Sequence, residues 1–166
     1  VQPFFGLPGE LLSSVKLTRT PDYVLTIEGL ASFSRYCREI PGDGLVIFCS
    51  GFPNPQVQSF VKRLDIDLTN SVPFYHWGDT DVRGIEILNL IDELCRNRQV
   101  QAHQMDRMHW RDCRALTKQN RGVLEKIVAS RGGAMRMAAK LLEHGIPIDF
   151  EQETINPKAP HRKAAG

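Results

Sequence analysis

Three carboxylates stand where this sequence could do chemistry. Glu28 directly follows the apolar run Tyr23–Ile27 (YVLTI), and Asp79 and Asp81 directly follow Pro73–Trp77 (PFYHW). Runs rich in β-branched and aromatic residues read as strands, so each acid falls at a strand's carboxyl end. Acids gathered there repel one another unless a cation lies among them. Oxygen-only donors favour a hard divalent ion, Mg²⁺ or Mn²⁺. Such an ion keeps open positions for phosphate oxygens, so the chemistry to expect is phosphoryl transfer or phosphodiester cleavage. Gly78 and Gly84 bracket the D-x-D and allow a tight turn with close approach of a ligand. Asp81 also suits the N-cap of a following helix, a bland role for the same residue.

The elements that position these acids alternate. Leu30–Glu39 has helical apolar spacing, and Leu45–Cys49 (LVIFC) reads as a strand buried on both faces. Val57, Phe60, Val61 and Leu64 mark a second helix, and Ile85 to Leu94 a strongly apolar third. A fourth strand is expected within Gln99–Met105. Two more helices are expected within Asp112–Arg131 and Ala134–His144, separated by Gly132-Gly133. Three β-α units in so short a span imply a parallel sheet, with function at the carboxyl ends of its strands. The reading is an α/β fold: a Rossmann-like parallel sheet of about four strands flanked by helices, with extra C-terminal helices. Its parts are an irregular segment over 1–22, a domain over 23–155 and a frayed tail over 156–166.

The chain has 166 residues, 42% apolar and 24% charged, with a net charge of +2. These values suit a globular domain and argue against disorder. No apolar run has the length of a membrane span. The N-terminus lacks an initiator Met and a signal-peptide layout, so the chain reads as a piece of a longer protein. The four cysteines show no C-x-x-C spacing, which points to reduced thiols in a cytoplasmic protein and away from a zinc site. Charge is unevenly spread. Residues 96–140 hold eleven Lys/Arg and three acids, while the remainder is net negative. A basic segment beside an acid cluster suits a polyanion approaching a metal, although many such runs are only solvated helix faces.

Strand-Glu-Gly followed by strand-Gly-Asp-x-Asp resembles a Toprim domain, the metal-binding module of topoisomerases, primases and related nucleases. FYHWGDTDVRGIEIL also resembles the topoisomerase VI A-subunit branch. TIEGLASF, IFCSGFPNP, FYHWGDTDVRGIEIL and FEQETI resemble, in order, the C-terminal Toprim domain of Wadjet JetD-type proteins, nuclease subunits of a bacterial anti-plasmid system built around an SMC-like complex. The resemblance covers about residues 23–155. It implies a Toprim-like fold and a Mg²⁺- or Mn²⁺-dependent DNA endonuclease. Glu28, Asp79 and Asp81 would be both catalytic and metal-binding. Glu151 or Glu153 in the late acidic motif would be a possible further acid. Ser50, Arg83, Arg107, Arg111 and Arg114 are candidate contacts to the DNA phosphates. DNA, a second copy of the chain and an SMC-like complex are the implied partners, with no membrane.

Other readings have distinct requirements. A non-catalytic, metal-dependent DNA-binding or assembly module would bind without cutting. Topoisomerase VI A-like cleavage needs a nucleophilic Tyr, and Tyr23, Tyr36 and Tyr75 all fall on expected core elements, so that residue would lie outside this chain. A haloacid-dehalogenase-like phosphatase also uses D-x-D, but Arg83 stands where it needs Thr or Val.

Overall fold

A computed structural model describes residues 4–106, 110, 112–148 and 152–160. Four short parallel strands form the main sheet: β1 (Val24–Ile27), β2 (Leu45–Phe48), β3 (Phe74–Trp77) and β4 (Val100–Ala102). Their order is β2-β1-β3-β4. Helices α1 (Leu30–Glu39), α2 (Pro55–Asp67) and α3 (Val82–Leu94) make the connections. This is the α/β, Toprim-like sheet flanked by helices that the sequence implied. Beyond it lie β5 (Cys113–Arg114), α4 (Lys118–Val128), α5 (Gly132–His144) and β6 (Ile146–Pro147), with β5 and β6 pairing antiparallel. No helix among the described residues is long and apolar enough to cross a membrane.

Local chemistry sets the boundaries. Asn54 caps α2 by accepting from the Val57 amide, with Pro55 in the first turn, and Thr117 caps α4 through the Asn120 amide. These side chains satisfy amides that have no partner inside the helix. Gly145 ends α5 at φ 93°, a conformation that costs glycine little. The central strands β1 and β3 are buried at every position. Trp77, Leu25, Ile27, Ile85, Ile87 and Leu88 form the heart of the core. Arg98 fastens α2 to the sheet. Its guanidinium pairs with buried Asp65 at 2.8 Å, donates to the carbonyls of Leu68, Thr69 and Val72, and lies over the Phe74 ring.

Several expectations are corrected. β2 is an edge strand, half-buried throughout, and not one covered on both faces. Its apolar composition belongs to a strand with one paired and one open edge. Gly132 and Gly133 do not separate two helices but form the first turn of α5. A Cβ at Gly133 would lie 2.5 Å from the Ala102 amide, so glycine lets α5 touch β4. The segment before β1 contains a 3-10 turn, Gly9–Ser14, which Arg63 of α2 holds through the carbonyls of Leu12, Ser13 and Val15. Residues 156–160 are docked and not frayed. Pro157 and Pro160 are buried, and the Lys158 carbonyl meets His103 Nε2 at 2.8 Å. Residues 161–166 lie outside the described residues. The tyrosines are structural as expected. Tyr23 and Tyr36 share a buried hydroxyl–hydroxyl bond of 2.8 Å, and Tyr75 is buried on β3.

Candidate active site

The strand order reverses direction at β1. From β1 the chain moves outward to β2, then returns across β1 to β3. Right-handed crossovers therefore send α1 and α2 to opposite faces, leaving a crevice beyond the carboxyl ends of β1 and β3. Glu28 follows β1, while Asp79 and Asp81 follow β3. The sheet thus brings the three acids to its one switch point.

Register refines the placement. Thr26 pairs with His76 and Ile27 with Trp77, so Glu28 stands opposite Gly78. The Glu28 amide donates to the Trp77 carbonyl at 3.0 Å. In return the Asp79 amide donates to Glu28 Oε2 at 3.3 Å. Gly78 is required by this proximity: a Cβ there would lie 2.7 Å from Glu28 Oε2. Asp81 is the N-cap of α3 and accepts from the Gly84 amide at 2.8 Å. Gly84 packs its backbone onto the D-x-D, and a Cβ there would lie 2.1 Å from the Asp79 carbonyl oxygen. The glycines that bracket the motif are thus needed for contact as much as for turning.

The electrostatics follow. The Glu28 carboxyl is pushed above the usual carboxylate range, chiefly by burial. The Asp79 amide opposes this, the charges of Asp79 and Asp81 add to it, and Arg83 opposes it. The acids therefore feel one another across the two strands.

The β2–α2 loop forms the other wall. Ser50 and Gly51 both adopt positive φ, 57° and 75°. The Arg83 guanidinium lies over the Phe52 ring, 5.5 Å from its centroid. Ser50, exposed, thus sits in the loop that Arg83 covers. Successive backbone amides in such loops form anion-binding concavities.

Gln152 is the residue that sequence reasoning missed. It is buried, and it clamps the ends of both strands. Its Oε1 accepts from the Gly29 amide at 2.9 Å, its Nε2 donates to the Trp77 carbonyl, and its backbone amide donates to Asp79 Oδ1 at 3.1 Å. The signal lay in FEQETI, where attention to acids passed over the amide between them. Glu153 is exposed, and its carbonyl accepts from Arg35. Arg114 is exposed on β5 of the second sheet, not at the ends of the main one. Glu151, Arg107 and Arg111 lie outside the described residues.

Three carboxylates are a donor set that suits a hard divalent cation. Among the described residues, no group of three His, Cys, Asp or Glu side chains is arranged to hold a metal ion. Asp79 and Asp81 each direct one oxygen to a backbone amide, and Glu28 leans on the Asp79 amide.

Fold and site together define an α/β domain with an acid cluster at the switch point of a parallel sheet. Comparison with known proteins narrows the class. The family model described as "Wadjet protein JetD, C-terminal" matches residues 7–161, and the chain belongs to that family. It is 34% identical over 89 residues to the Wadjet protein JetD of Bacillus cereus (strain Q1). That alignment covers 52% of this chain and 22% of the relative, so the chain matches about a fifth of its length. No solved structure matches.

Proposed function

We propose that the chain is a Mg²⁺- or Mn²⁺-dependent DNA endonuclease domain, the cutting part of an anti-plasmid defence nuclease. One observation carries the reading: acids from two adjacent central strands stand at the switch point, near enough that Asp79 and Asp81 add to the burial that raises the Glu28 carboxyl. Glu28, Asp79 and Asp81 would hold the metal, which when bound neutralises charge growing on the phosphate oxygens. The chain's own groups do the rest. Arg83 and the backbone amides of the Ser50–Gly51 loop hold the phosphodiester. Glu28, with its raised pKa, carries a proton to or from the scissile oxygen. The basic segment 96–140 steers DNA without reading its sequence. Cutting both strands needs two such sites, which a two-fold dimer supplies. An SMC-like complex is the proposed larger assembly.

A second reading has its own support. Asp81 already caps α3, a structural role for one of the three acids. That suits a non-catalytic, metal-dependent DNA-binding or assembly module.

Anomalous diffraction from a Mn²⁺-soaked crystal tests the metal, and plasmid cleavage by the full-length protein tests the reaction. A peak among Glu28, Asp79 and Asp81, with cleavage lost in Glu28→Ala, is expected. DNA binding without cleavage, unchanged in Glu28→Ala, selects the second reading.

A further inference from the structure

Beneath the acids lies a polar group that the proposed reaction does not use. His76 is fully buried in β3. Its Nδ1 lies 2.9 Å from Thr26 Oγ1 on β1. Its Nε2 is buried with no hydrogen-bond partner among the described residues. Leaving such an atom unpaired costs about 1–3 kcal/mol, so an orphan of this kind requires an explanation.

The register supplies one. His76 and Gly78 lie two apart on β3, Thr26 and Glu28 two apart on β1, and the two pairs stand opposite each other. Side chains two apart on a strand share a face. The ideal Cβ position at Gly78 lies 2.7 Å from His76 Nε2 and 2.7 Å from Glu28 Oε2. Only a residue without a side chain leaves the imidazole and the carboxylate open to each other there. We infer that His76 is a positioning residue for Glu28: its neutral ring, held at Nδ1 by Thr26, presents Nε2–H to the Glu28 carboxylate across Gly78.

Electrostatics selects this tautomer. A bare Nε2 would set its lone pair against the carboxylate oxygens, whereas an N–H attracts them. The Thr26 hydroxyl has one proton, and two acceptors lie within its reach. The Tyr75 carbonyl is at 3.2 Å and His76 Nδ1 at 2.9 Å. Donation to Nδ1 leaves Nε2 as the protonated nitrogen, whereas donation to the Tyr75 carbonyl has Thr26 accept from Nδ1–H, and the nearby Glu28 carboxylate favours the first. Cys49, beside Glu28 at the end of β2, also bonds Thr26 and stays a thiol, its pKa pushed up to about 12 by burial. Burial likewise holds the imidazole neutral, with a pKa lowered to about 3. The row Cys49, Thr26, His76, Glu28 thus runs across β2, β1 and β3 and ends at the site. Ligand carboxylates are commonly oriented by such outer partners.

The role assigned to His76 rests on Glu28 being the reactive carboxylate, but its geometry can be tested without any reaction. In the chain labelled with ¹⁵N-histidine, the His76 ring is expected to read as the neutral Nε2–H tautomer, assigned by its loss in His76→Asn. Glu28→Ala is expected to shift that N–H resonance and speed its exchange with solvent. An Nδ1–H tautomer, or a resonance indifferent to Glu28→Ala, would overturn the inference. In the full-length protein, His76→Leu is expected to lower kcat for DNA cleavage about 10–100-fold, with KM unchanged and partial rescue in His76→Gln, whose amide can donate. Equal loss in both variants, or a change in KM alone, refutes positioning. A coupled His76–Glu28 signal in a protein that never cuts DNA would sink the nuclease reading and leave the positioning of Glu28 by His76 standing.

Discussion

Truncating Gln152 gives the most direct test of how this site is held. Gln152→Ala keeps the backbone amide that donates to Asp79 Oδ1, so that bond is not what changes. Two side-chain bonds are lost, from the Gly29 amide at 2.9 Å and to the Trp77 carbonyl. Gly29 is the N-cap residue of α1 and has no side chain to compensate. Trp77 closes β3 and is fully buried, and Gln152 itself is only 2% exposed. The Trp77 carbonyl keeps its bond from the Glu28 amide, so only the Gly29 amide is stranded, at a cost of about 1–3 kcal/mol that entering water partly recovers. The expected loss is therefore about 1–3 kcal/mol, measured by urea denaturation with a common m-value. For a chain of this size each kcal/mol lowers Tm by about 2–4 °C. Gln152→Glu separates the two bonds, because a carboxylate still accepts from Gly29 but cannot donate to Trp77. It also adds a negative charge beside Asp79, so it should be the worse variant at neutral pH and improve when acidified. A loss below about 0.5 kcal/mol for the alanine variant, within the scatter of ordinary surface changes, would show that nothing depends on this clamp.

Four further outcomes are expected. Asp81→Asn should keep the α3 cap and hold stability within about 0.5 kcal/mol, since Asn caps as well as Asp; metal-dependent cleavage should nevertheless fall sharply, and unchanged cleavage would reduce Asp81 to a cap. Gly84→Ala forces a Cβ against the Asp79 carbonyl and should cost at least about 1–3 kcal/mol by thermal melting. Gly122→Ala, in α4 with nothing within 4 Å of its added methyl, should instead stabilise by about 0.5–1 kcal/mol. Glu28 titrates higher in the fold than in the unfolded chain, so its ionisation weakens the fold as pH rises from the ordinary carboxylate pKa through the raised one. Glu28→Gln should thus stabilise at neutral pH and lose that advantage in acid, and a gain that grows on acidification would reverse the assigned sign.

The sequence carried the strands, the helices and the three acids for a physical reason. Strand length and apolar runs are local signals, and an acid directly after a strand needs no tertiary information to be placed at its end. α1 is readable at both ends because Gly29 and the turn-forming Pro41-Gly42-Asp43-Gly44 flank a clear apolar stripe. What could not be read depends on neighbours. Leu45–Phe48 has the composition of a covered strand, but whether a fifth strand lies beside it is set by topology. Gly132-Gly133 looked like punctuation, whereas Gly133 serves the approach of α5 to β4. Gln152 is 123 residues from the Gly29 amide it caps, and an amide side chain carries no periodicity to reveal such a bond. Residues 156–160 are short of apolar side chains, yet they dock through prolines and a backbone carbonyl.

The charge balance of the site decides how a polyanion could use it. Glu28 feels the negative charge of Asp79 and Asp81, and Arg83 is the one cation acting on it among the described residues. Arg83 is also exposed and lies over Phe52, so its charge is shared with solvent and with the loop it covers. Three acids against one screened guanidinium leave the crevice negative, and a phosphate entering it would meet repulsion. Two features of the chain answer that. In the proposed reading, the excess of Lys and Arg over 96–140 would draw the backbone of a nucleic acid towards the domain. The oxygen donors at the switch point suit the one kind of ligand that reverses the local sign, a divalent cation. If the proposed function holds, the same repulsion would make the crevice hostile to DNA without a metal and hospitable with one. DNA affinity should rise on adding Mn²⁺ in the native chain, and Glu28→Gln, which removes one of the repelling charges, should bind DNA more tightly without metal while gaining less from it.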